Sequence, residues 1–210
     1  MYCRTAAALF PLMPTATFPE TIPALQASWA KVGNDVGLDA AGILFFKRIF
    51  EIAPGALGLF SSLKTFQIGP ELYESAALKA HASKVMATVN VAVGMLNDVP
   101  KLLPVLEDLG NKHVKYGILP AHYDVVGQAL LDTLALGLGD AFTPDLKAAW
   151  AEIYGVIAKT MIGSTMKYHG MQAPWGRYAT PATAQVEAET KKSQDSAWDW
   201  YQTPIPAERC

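Results

Sequence analysis

The chain has 210 residues, enough for one domain with appended tails or for two very small ones. Half of it is hydrophobic (51%), ample for a sizeable core, and no apolar run reaches the ~18 residues that a membrane span needs. Its 17 Lys and Arg stand against 19 Asp and Glu, for a net charge of -2, and the cations form no stripe, which argues against a nucleic-acid partner.

Residues 1–19 are apolar, carry Arg4 and no acid, and are interrupted by Pro11, Pro14 and Pro19. They read as a flexible N-terminal extension. An acid-poor stretch is also what a targeting segment looks like, so the expected location is cytoplasmic, with organelle targeting as the alternative. Thr21 before Ile22-Pro23 predicts a helix N-cap and an early-helix proline, with the helix running to Lys31–Asn34. A second helix is expected from Gly37 to Ala53, with Ile43, Phe46, Ile49 and Phe50 at steps of three and four, and Pro54 stops it. Residues 55–70 read as a short helix and an irregular corner containing Phe60.

A long helix is expected over Leu72–Asp98, with the stripe His81, Val85, Thr88/Val89, Ala92 and Leu96, ended by Pro100. The next, Lys101 to Lys115, carries Leu102, Leu106, Leu109 and His113 at steps of four, three and four. Pro120 opens a helix with Tyr123, Val126, Leu130 and Leu134 on one face, closed by Gly137–Gly139. Thr143-Pro144-Asp145 supplies an N-cap, a first-turn proline and a dipole-matched acid for the last helix. That helix presents Leu146, Trp150, Ile153/Tyr154, Ile157 and Met161. Residues 171–210 turn polar and proline-punctuated and read as a mostly disordered tail, with Trp198, Trp200 and Tyr201 as residues that could dock on a surface. Cys3 and Cys210, at the two ends, leave the centre without thiols, so a disulfide framework or cysteine zinc site is excluded there.

Of four histidines, His81 and His113 sit on apolar stripes, where an unpaired polar ring is costly. Their helices meet at Val99-Pro100. His81 lies about 26 Å before that turn and His113 about 20 Å after it, at ~1.5 Å per residue, so both rings can point into one slot. An apolar slot between two imidazoles suits a flat iron cofactor. Two core histidines satisfied by carbonyls would give the same pattern, and the spacing leaves both readings open. Zinc lacks a third ligand and an HExxH motif. His122, in a first helical turn, and His169, near the end of the folded region, are expected at the surface. No GxSxG, GxxxxGK[ST] or strand-borne GxGxxG occurs, so an enzyme using side chains alone is not expected.

Five strings in order resemble the globin family over about residues 20–170. Ala53-Pro54 with Leu59-Phe60 resembles the corner where a Phe stacks on the haem. Ala80-His81-Ala82-Ser83-Lys84-Val85-Met86 resembles the distal helix of neuroglobin-like members, and Leu109-Gly110-Asn111-Lys112-His113 the proximal segment. Ala141-Phe142-Thr143-Pro144 with Ala149-Trp150 and Tyr154-Gly155 resembles the start of the last helix. His122-Tyr123 with Val126-Gly127 is similar to the single-domain bacterial, flavohaemoglobin-type branch.

The resemblance implies an all-α, three-over-three helical fold over residues 20–170 with flexible extensions at 1–19 and 171–210. It implies haem b (iron protoporphyrin IX), held by His113 as proximal ligand with His81 on the distal side. Phe46, Phe60, Val85, Leu109, Ile118 and Tyr123, with Leu106 and Leu130, would form the walls. Lys84 would pair with a haem propionate or stand as an ordinary exposed lysine. His81 is the sixth ligand if the chain behaves as a neuroglobin, and only a hydrogen-bond donor if it behaves as a storage globin. The implied function is reversible binding of O₂, with NO or CO, for transport, storage or sensing. The alternative is a haem enzyme detoxifying NO with a separate reductase, or a redox or gas sensor with bis-histidyl iron. The flavohaemoglobin branch uses Tyr, Gln and Glu where this chain has Phe46, His81 and Thr165, which weakens the case for a dedicated NO dioxygenase.

Overall fold

The computed structural model describes residues 18–168, with side chains from 21 to 164. The readings made for residues 1–17, His169, Cys3, Cys210 and the segment 171–210 lie outside the described residues, as does the side chain of Thr165. Among the described residues the chain is all-α, as expected. It comprises α1 (Phe18–Asp35), α2 (Leu38–Ile52), α3 (Pro70–Glu74), α4 (Ala76–Gly94), α5 (Val99–Val114), α6 (Pro120–Leu138) and α7 (Pro144–Tyr168), with 3₁₀ turns at Pro54–Leu59, Ser61–Leu63 and Gly139–Ala141. None of the described helices is long and apolar enough to cross a membrane.

Three boundaries differ from the sequence reading. Helix α1 begins at Phe18, so Thr21 is not its N-cap and Pro23 lies inside it. That proline forfeits a single i→i−4 bond, a tolerable loss near the start of an eighteen-residue helix. The long helix expected over 72–98 is two helices. Ser75, in an extended conformation, accepts the Leu78 N–H at 3.2 Å and donates to the Leu72 carbonyl at 2.7 Å, closing α3 and capping α4. At the far end α4 stops at Gly94, and Asp98 belongs to the next helix. Its carboxylate caps α5 by accepting the Lys101 N–H at 3.3 Å, which places Pro100 in the first turn of α5.

Helix α6 is the centre of the molecule. Tyr123, Val125, Ala129, Leu130, Leu131, Leu134 and Leu138 are all buried, so it is apolar nearly all round, as a helix packed on several sides must be. It lies against α1, α2 and α7; α4 packs on α2, and α5 packs on α7. Helix α2 turns Ala41, Gly42, Phe45, Phe46, Ile49 and Phe50 inward, at the three-and-four spacing of one helical face. Each such large apolar side chain contributes about 1.5–3 kcal/mol through burial. Two indoles tie α1 into place: Trp150 donates to the Ser28 hydroxyl at 3.0 Å, and Trp29 donates to the Asn90 carboxamide at 2.9 Å. Between α2 and α6, Arg48 reaches Asp132 in a direct ion pair.

Candidate functional site

Helices α4 and α5 carry the two stripe histidines, and they share no broad contact with each other. Each leans on a different neighbour, α4 on α2 and α5 on α7.

On the α4 side the approach to α2 is very close. A Cβ on Gly42 would meet Met86 Cγ at 3.0 Å and Ala82 Cβ at 3.1 Å, tighter than an ordinary side-chain contact, so the missing side chain eases this close approach at the residue after His81. Phe46 follows Gly42 by one helical turn and meets the His81 ring edge-on, with centroids 5.3 Å apart and planes at 66°. Phe60 flanks the same imidazole at 5.3 Å and 71°, and touches Phe46 at 5.7 Å. The 3₁₀ turn Pro54–Leu59 ends in an extended Phe60 whose N–H donates to the Leu57 carbonyl at 3.2 Å. The buried Leu63 anchors the turn that follows. This explains how an irregular corner holds an aromatic ring at a fixed place. Val85, one turn beyond His81, is half-buried beside the core, and Lys84 is exposed.

On α5 the stripe expected from sequence separates into two. Leu102, Leu106, Gly110 and Val114 are buried, whereas Leu109 and His113 are half-buried on the adjoining row. The Nδ1 of His113 lies 2.8 Å from the carbonyl of Leu109, one turn back. A carbonyl can only accept, so Nδ1 carries the proton in the neutral ring, and Nε2 is left with its lone pair pointing outward from α5. After α5, Gly117 takes φ 72° and turns the chain, returning the Ile118 N–H to the His113 carbonyl at 3.3 Å. Ile118 is thereby packed, half-buried, against the core at the end of the histidine helix. Tyr123, buried at the start of α6, faces His113 with ring centroids 6.3 Å apart.

Electrostatics favour neutral rings. Burial is the largest influence on His81 and holds it below the usual histidine range, helped by the positive charge of Lys84 and by His113 itself. Burial also lowers His113, with the Leu109 hydrogen bond acting in the opposite sense. A neutral imidazole is the form that ligates a metal.

Phe46 and Phe60 thus flank His81, with Val85 one turn along α4 and Lys84 exposed, while Leu109 and Tyr123 neighbour His113 and Ile118 follows at the end of its helix. His122 is a correction: it is only 4% exposed, not solvent-facing. Its Nδ1 accepts the Leu119 N–H at 3.1 Å, satisfying a donor at the start of α6. Pro120 and the first-turn position were visible in the sequence, but they do not say which way the ring turns. The sequence reading also passed over Ser164, a buried hydroxyl on α7 that contacts α5. Among the described residues no group of three or more His, Cys, Asp and Glu could hold a metal ion.

A globin family model matches residues 43–161. The neuroglobin of Danio rerio is 34% identical over 137 residues, covering 65% of this chain and 85% of the relative. That of Tetraodon nigroviridis is 32% identical over the same length and coverage. An anaerobic nitrite reductase of Arabidopsis thaliana is 35% identical over 137 residues, covering 64% of this chain and 84% of the relative. The matched span runs from within α2 to within α7 and takes in every helix that contributes to the two-histidine face. The chain belongs to the globin family.

Proposed function

We propose that residues 20–170 form a haem-binding domain that reversibly takes up O₂, and NO or CO, at iron held by His113, with His81 as the sixth ligand until a gas displaces it. The observation that carries this reading is the hydrogen bond from His113 Nδ1 to the Leu109 carbonyl, 2.8 Å long. It selects the tautomer whose Nε2 can donate a lone pair to a metal and orients the ring through its own helix. The residues suit the group: two imidazoles kept neutral by burial, aromatic and aliphatic walls for a flat apolar macrocycle, and an exposed Lys84 for its carboxylates. With both cysteines at the termini and no CxxCH motif, attachment would be non-covalent, as for haem b.

Haem held here would supply an iron able to take a diatomic gas. The chain's own contributions follow from the geometry. His113 is the fixed tether. His81, wedged between Phe46 and Phe60, either ligates or swings aside and donates a hydrogen bond to the incoming ligand. Phe46 and Phe60 crowd the distal side and restrict water. The test is the absorption spectrum of the purified ferrous protein under inert gas. A Soret band with sharp, split visible bands is the expected result. A single broad visible band would remove His81 from the iron and make O₂ storage or delivery the leading role. No Soret band after titration with haem would overturn the reading.

The likeness to a protein named as a nitrite reductase favours a second reading, redox chemistry on nitrogen oxides, either nitrite reduction or NO dioxygenation, with electrons from a separate reductase. It would be supported if His81→Ala kept O₂ binding yet lost NO or nitrite turnover.

A further inference from the structure

Helix α5 approaches α7 very closely at Gly110, three residues before His113. A Cβ at Gly110 would lie 2.5 Å from the Met161 carbonyl oxygen, 2.9 Å from Met161 Cα and 2.7 Å from Ser164 Oγ. Two of those atoms are backbone, so no rotamer change on α7 could make room. Ser164 closes the contact from the other side. Its hydroxyl donates to the Glu107 carbonyl at 2.7 Å and lies 3.1 Å from the Asn111 carboxamide oxygen. A hydroxyl has one proton to give, so the two acceptors share it unless the carboxamide turns over and donates its NH₂ to the hydroxyl. Ser164 is 5% exposed, so water is a poor substitute for either partner. Glu107, Gly110 and Asn111 make up the turn immediately before His113, and all three are engaged by the same stretch of α7.

We infer that Ser164 and Gly110 form a notch that fixes the register of α5 on α7 and so acts as the positioning device for His113, a role that rests on the haem-globin reading above. Helix α5 has no broad contact with α4, and α7 is its principal support. The height of the His113 ring over the site is therefore set by this notch rather than by the distal helix. Ser164→Ala removes the tether without adding bulk. Gly110→Ala forces the helices apart, because real Cβ atoms do not approach backbone to 2.5 Å. Gly163→Ala is the matched control, since a Cβ there meets nothing within 4 Å.

The experiment is resonance Raman spectroscopy of the full-length ferrous protein after photolysis of bound CO, which isolates the iron–His113 stretching band whatever His81 does. The expected result is a displaced or broadened band in Ser164→Ala and a larger displacement in Gly110→Ala, with Gly163→Ala unchanged. Hydrogen exchange of α5 amides, read in parallel, separates positioning from mere support. A band that stays in place in Ser164→Ala while α5 loses protection would overturn the inference. So would a band that moves equally in Gly163→Ala. If Gly110→Ala does not fold, Ser164→Ala still decides. A wild-type chain that takes up no haem would defeat the functional reading instead, before either variant is compared.

Discussion

The phenol of Tyr154 donates to the main-chain carbonyl of Tyr123 at 2.5 Å, joining the middle of α7 to the first turn of α6. The same ring covers Gly127, where a Cβ would meet Tyr154 Cε1 at 2.5 Å. Tyr123 is the aromatic neighbour of His113, so this bond braces the ring beside that histidine from behind. Tyr154→Phe keeps the ring over Gly127 and deletes the bond. It should cost about 1 kcal/mol in chemical denaturation and broaden the haem spectrum without removing it.

His113→Ala should abolish stable haem retention, read as loss of the Soret band after gel filtration. His122→Ala should keep the band but lose about 1–3 kcal/mol of stability, because it removes a buried ring and leaves the Leu119 N–H without its acceptor. Comparable haem loss from both variants would mean that the proximal assignment is wrong.

His81→Leu should convert the gas-free ferrous spectrum from split to broad visible bands and speed CO association, since no side chain must first leave the iron. A spectrum unchanged by the substitution would take His81 out of the coordination sphere.

Both stripe histidines have folded-state values below the ordinary 6.5. Between the lowered value and 6.5 the unfolded chain binds more protons than the folded one, so folding stability falls as the pH is lowered through that window. Above 6.5 the two rings are neutral in both states and contribute no slope. Denaturation of the haem-free protein between pH 7.5 and 5 should show this acid loss, and a His81→Leu/His113→Leu double variant should flatten it. A slope that survives in the double variant would assign the effect to other groups.

Gly42→Ala places a methyl 3.0–3.2 Å from Met86 and Ala82. Met86 can adjust its side chain, whereas the Ala82 carbonyl gives only if α4 shifts outward by a few tenths of an ångström. The expected cost is about 1–3 kcal/mol, with a changed ratio of histidine-bound to open iron in the ferrous spectrum.

The two histidines drew notice in the sequence because their signal is periodic. His81 and His113 stood out as polar rings on apolar rows; in the fold both are half-buried, one residue off the rows that pack as core, Leu78–Ala82–Met86 on α4 and Leu106–Gly110–Val114 on α5. What sequence could not carry is anything set by the direction of a single side chain. His122 and a solvent-facing histidine look alike in a first helical turn until the ring is seen to turn back on Leu119. Ser75 falls between Leu72 and Leu78, both buried, so the apolar pattern runs on through the place where the chain caps one helix and starts another. The Leu109–His113 row and the Leu106–Gly110 row are one residue apart on α5. Periodicity merges them, although one faces the site and the other faces α7. Ser164 is silent for a similar reason: a hydroxyl amid apolar residues gives no hint of which neighbouring carbonyl it will reach.

The lack of broad contact between α4 and α5 has a bearing on how such a protein can change over time. The two jaws of the site are mounted on separate frames, α2 for one and α7 for the other. Their separation is the sum of two adjustments made far apart in the chain, near Gly42 and near Gly110. Substitutions at such well-separated contacts should act on iron ligation additively. Descendants of this sequence could therefore drift between tight and loose distal coordination by altering one frame, leaving the proximal grip as it was.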